Sequence, residues 1–100
     1  MILSTQIQSY YNKLYKQLRK YFWSFQVVEN IAYLEMECYK AIPSIENVRS
    51  YLEKVKRGCA QELKDDEELR SAYESMCNYI ENSSNKDVCM RLTINKEVFQ

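Results

Sequence analysis

The stretch Thr5–Lys40, TQIQSYYNKLYKQLRKYFWSFQVVENIAYLEMECYK, decides the fold class. It holds no glycine and no proline, and its apolar residues recur at Ile7, Tyr11, Leu14, Leu18, Tyr21, Phe25, Val28 and Ala32, then Met36 and Tyr39. Steps that alternate between four and three mark an amphipathic helix whose seam packs along a neighbouring helix. Ser4 or Thr5 supplies a start. Unbroken over 5–40, the helix would be about 54 Å long, more than a small domain needs, so a bend near Ser24 is allowed, although no residue there demands one.

Working outward, Ala41-Ile42-Pro43-Ser44 ends this helix, because a residue before proline is pushed out of the α region, and Ser44 is placed to cap the next. A second helix over 45–62 carries Ile45, Val48, Leu52, Val55 and Cys59 on one face, with Gly58 as a C-cap or a tolerated interior glycine. The run Asp65-Asp66-Glu67-Glu68 suits the positive end of a helix dipole, and Asp65 with Glu68 has capping-box spacing. A third helix over 66–82 then presents Leu69, Tyr73, Met76 and Ile80, flanked by Ala72 and Cys77.

The apolar series of the second and third helices keeps one heptad register through Glu62 and Asp66, so a single helix over 45–81 is the alternative. In the tail 83–100, Val88, Met90, Leu92 and Ile94 alternate with polar residues and Cys89, the period of a strand. Its partner would be the Met1–Ile7 segment or another molecule. The expectation is an all-α single domain over 1–100: three or four antiparallel helices in a small bundle or a long helical hairpin, ending in a short C-terminal tail that is either a strand or, without a partner, irregular or helical.

Composition agrees with that class. One glycine and one proline in 100 residues leave few sites for tight turns and argue against an all-β fold. The formal net charge is zero, so no global field favours nucleic acid or an anionic membrane. No apolar run approaches a membrane span, and the start MILSTQIQ lacks the basic and apolar regions of a signal peptide, which predicts a cytoplasmic protein with no membrane contact. Ile, Asn, Lys and Tyr are in excess, as codon usage in an AT-rich genome would produce.

Cys38, Cys59, Cys77 and Cys89 form no Cys-x-x-Cys pair, and the chain contains no histidine. That removes the usual zinc sites and every His-activated nucleophile, and the lone glycine in Lys56-Arg57-Gly58-Cys59 builds no phosphate loop. The cysteines are read as reduced, with three of them as small buried hydrophobes. No catalytic residue, metal or cofactor is expected, and the chain is read as a non-enzyme.

Two features point to partners. Residues 1–28 carry Lys13, Lys16, Arg19 and Lys20 with no acid, whereas 62–81 carry seven acids against two bases. Lys13, Lys16 and Lys20 share one helix face near Tyr10, with Trp23 a turn beyond, an arrangement suited to a nucleic-acid strand or to the acidic third helix. The second feature is another apolar stripe, Trp23, Val27, Ile31, Leu34 and Cys38, more than 90° from the first. A helix apolar on two sides is either buried centrally or faces a partner.

The reading preferred on these grounds is a non-enzymatic protein-binding module or inhibitor that engages an unidentified protein or a second copy of itself through Trp23, Val27, Ile31, Leu34 and Cys38. A nucleic-acid-binding regulator using Lys13, Lys16, Arg19 and Lys20 is the alternative. Glu29, at the edge of the first stripe, fits neither reading. In size and composition the chain is similar to the small helical proteins of mobile elements that block a larger machine by contact, such as anti-CRISPR proteins and bacteriocin immunity proteins; the likeness is one of general character and rests on no motif.

Overall fold

The computed structural model describes residues 4–82; the expected C-terminal strand over 83–100 lies outside them. Helix accounts for 82% of the described residues, and there is no strand among them. The helices are α1 (Ser4–Leu18), α2 (Phe25–Cys38), α3 (Ile45–Gly58), the single-turn α4 (Ala60–Asp65) and α5, residues 67–82. From Ser4 onward the segment considered as a partner strand is therefore the first turn of α1.

The expected helix over 5–40 is two helices, and the interruption at 19–24 is more than a bend. One local and two long-range side-chain contacts hold it. The Trp23 indole N–H donates to the Leu18 carbonyl at 2.8 Å, taking one of the acceptors that a helix end leaves open. The Tyr21 hydroxyl and the Lys20 ammonium both reach Asp66, at 2.6 and 2.8 Å, tying this turn to the start of α5. Ser24 is extended, and α2 starts after it.

The break changes which stripe points inward. In α1 the first seam is buried at Ile7, Tyr11, Leu14 and Leu18. In α2 the second stripe is buried instead, at Val27, Ile31, Leu34 and Cys38. The core is completed by Val48, Leu52, Val55, Cys59 and Leu63 from α3 and α4, and by Leu69, Tyr73, Met76 and Ile80 from α5.

Aromatic and charged pairs join the helices. Tyr33 of α2 stacks on Tyr51 of α3 at 5.7 Å, and Tyr39 of α2 meets Tyr11 of α1 edge-on at 6.5 Å. Tyr10 near the start of α1 stacks on Tyr79 near the end of α5 at 4.7 Å, and Arg49 of α3 pairs with Glu81 at 3.1 Å.

The continuous 45–81 helix is interrupted twice. At Cys59 the backbone leaves helical geometry (φ −125°, ψ 30°), and at Asp66 it is extended (φ −106°, ψ 104°). Asp66, rather than Asp65, caps α5: its carboxylate accepts from the Leu69 N–H at 3.1 Å. Ser44 caps α3 through the Asn47 N–H at 3.3 Å.

Gly58 has no positive φ and is the last residue of α3, so of the two roles read for it the C-cap is absent and the helical glycine is the one present. Its role is close approach. A Cβ placed there would overlap Cγ2 of Val27, where α2 crosses the end of α3. Gly58→Ala is expected to cost about 1–3 kcal/mol through overpacking. In urea titrations a Val27→Ala/Gly58→Ala double variant should then be less destabilised than the two single losses added together, and strict additivity would show that the two sites do not share this space.

Candidate functional site

Four of the five residues expected to bind a partner are in the interior. Val27, Ile31, Leu34 and Cys38 are buried core, and Trp23 is partly buried beside Tyr21, with ring centroids 5.2 Å apart. The surface falls to the other stripe of α2 and to the segments at its two ends. Phe22 (106% exposed), Ile42 (86%), Phe25 (81%) and Met36 (64%) are the most exposed large apolar side chains, with Tyr39 and Val28 about half exposed. Ala32, also exposed, lies midway along this stripe.

Phe25, Val28, Ala32, Met36 and Tyr39 belong to the apolar series expected to pack along a neighbouring helix, whereas Phe22 and Ile42 stand outside that series. Glu29 was the signal that could have separated the two stripes. A carboxylate stands at the edge of the outer stripe, beside Tyr33, while the inner stripe carries none at Val27, Ile31, Leu34 or Cys38.

At one end of the face a cleft of about 330 Å³ opens between α1 and α2, lined by Tyr15, Arg19, Phe22, Trp23 and Val28 among others. At the other end the Tyr39 hydroxyl meets Asn12 at 3.1 Å, and Glu35 lies beside Tyr11. Burial, with Glu35 alongside, pushes the Tyr11 phenol well above its ordinary range.

The basic residues are divided. Lys20 is committed to Asp66 at 2.8 Å and lies 3.9 Å from Glu68. Lys13 and Lys16 line a groove of about 740 Å³ between α1 and α5 whose other wall includes Glu67 and Glu68. Arg19 stands apart in the apolar cleft. The four charges therefore do not form one uninterrupted basic face.

Comparison with models of protein families, with curated proteins and with solved structures finds no match.

The described thiols are free of disulfides and poorly suited to act as nucleophiles. Burial, helped by Glu37 and Glu35, pushes the Cys38 thiol up to about 12, and burial with Glu62 nearby pushes Cys59 up to about 11. Cys59 donates to the Val55 carbonyl at 3.0 Å. Among the described residues no cluster of three Cys, Asp or Glu side chains could hold a metal ion, and no helix is long and apolar enough to cross a membrane.

Proposed function

We propose that this chain is a small antiparallel helical bundle that works as a protein-binding module, without chemistry of its own, through the outer stripe of α2 and the segments flanking it. The observation that carries this reading is the exposure of Phe25, Val28 and Met36 along α2, with Tyr39 at its C-cap and Phe22 and Ile42 in the segments beyond its ends. Solvent-facing apolar residues are ordinary when scattered; a row of large ones along a helix is the pattern of a helix awaiting a partner. Aromatic residues and methionine are also the types enriched at the centres of protein interfaces.

Such a module would act by occupancy, as small inhibitor and immunity-type proteins do. Nucleic-acid binding is the weaker alternative, because Lys20 is ion-paired and Lys13 and Lys16 share their groove with acids, leaving few cations for phosphate contacts.

The test is retention of a partner, whether a second copy or another protein, on the immobilised chain. A Phe22→Ser/Phe25→Asp variant that stays helical should lose at least tenfold in retention. Equal retention by the variant, or none by the unaltered chain, would defeat the reading.

A further inference from the structure

We infer that the partner on this face is a second copy of the same chain, docked about a two-fold axis that crosses α2 at Ala32. This rests on the reading of the outer stripe as a protein-binding face and names its occupant.

The first argument is the symmetry of the stripe. Phe25 and Tyr39 lie seven residues either side of Ala32, and Val28 and Met36 lie four either side. Beyond the ends of α2, Phe22 and Ile42 each stand ten residues from it. In a two-fold interface residue i meets residue j while j meets i, so each patch must be complementary to its own reversed copy. Two α2 helices running in opposite directions place Phe25 of one against Tyr39 of the other, and Val28 against Met36. Ala32, the smallest side chain of the row, falls on the axis, where the helices come closest.

The second argument is charge. Arg19 lines the cleft beside Val28, on the α1 side of the stripe. Glu35 lies on the same side, beside Tyr11, two helical turns further along α2. The two charges thus sit on opposite sides of the Ala32 level, and the two-fold axis brings each Glu35 towards the Arg19 of the other copy, twice per dimer. Glu29, close to the Glu35 level after the same rotation, lies on the opposite flank of α2 with Tyr33 and so does not oppose it.

The third argument is size. At roughly 150–250 Å² for a fully exposed aromatic side chain, the six apolar residues present on the order of 800 Å². That is about what each partner contributes to a standard-sized interface.

The experiment is the solution mass of the full chain by light scattering and sedimentation from 1 to 100 μM, in reducing buffer. The unaltered chain is expected to be a dimer. Arg19→Glu and Glu35→Arg should each weaken dimerisation at least tenfold. An equimolar mixture of the two variants should recover it, because both cross-pairs are then matched. Ala32→Glu should leave a helical monomer.

A dimer that Ala32→Glu does not disturb would overturn the two-fold arrangement. A monomer at 100 μM that still retains another protein, and loses it with Phe25→Asp, would overturn the second copy and leave the protein-binding reading standing. A monomer that retains nothing would overturn both.

Discussion

Leu34→Ala is expected to lower the unfolding free energy by about 3–4 kcal/mol, which for a domain of this size is a large part of the total. Leu34 is fully buried in the middle of α2, where Ile31 and Cys38 of the same stripe are also enclosed. Removing three carbons there leaves a cavity, and the helices around it cannot close fully because each is held at its ends by other contacts.

The comparison that gives the result meaning is Met36→Ala, two residues further along the same helix but on its outer face. That change should move the urea midpoint of the isolated chain by the equivalent of less than about 0.5 kcal/mol. If both variants cost the same, α2 does not present its Val27–Cys38 stripe to the core. The same pair separates stability from association. Leu34→Ala acts on the fold, and Met36→Ala should act on partner binding.

The second large effect concerns Glu37, the one buried charged residue among those described. Its carboxylate closes the turn between α2 and α3. It accepts from the Ser44 N–H, the Asn47 side-chain amide and the Lys40 ammonium, each at 3.1 Å. Glu37→Ala would leave the Ser44 N–H and the Asn47 amide without this acceptor, and would cost less at Lys40, which is 57% exposed. The expected loss is about 2–3 kcal/mol, read from thermal or urea unfolding followed by helicity.

The pH dependence of this turn has a definite sign. Burial by itself raises the Glu37 carboxyl, but the hydrogen bonds from Ser44, Lys40 and Asn47 outweigh it, and the net effect is a lowered pKa. A depressed carboxyl contributes stability above its unfolded value, about 4.3, and that contribution is lost as the pH falls through the folded value. Asp66 behaves in the same direction. Lys20, Tyr21 and the Leu69 N–H hold it well below the usual carboxylate range.

The protein should therefore lose stability steadily as the pH drops below about 4.3. Glu37→Gln should flatten part of that slope. The part that remains should disappear when Asp66→Asn is added. A slope unchanged in the double variant would place the acid sensitivity elsewhere.

Much of the architecture was legible in the residues. Proline at 43 and serine at 44 mark a helix boundary by local sterics and capping alone, and the stripe Leu69-Tyr73-Met76-Ile80 is apolar on one side only, so its burial follows from periodicity. The face for a partner was only half legible. Most of its residues were visible as a series, but α2 has two apolar stripes of similar strength, and periodicity does not say which one turns inward.

That choice was made by the break at 19–24. No glycine or proline stands there, and the chain turns because Trp23 takes the Leu18 carbonyl while Lys20 and Tyr21 reach across 45 or more residues to Asp66. The sequence by itself determined the helical class, the capped start of α3 and the inward faces of α1, α3 and α5, since these follow from spacing and from interactions within a few residues. Only the tertiary structure decided where the first helix ends and which side of α2 meets solvent, because the side-chain contacts of Lys20, Tyr21 and Trp23 set both, and helical periodicity carries no record of them.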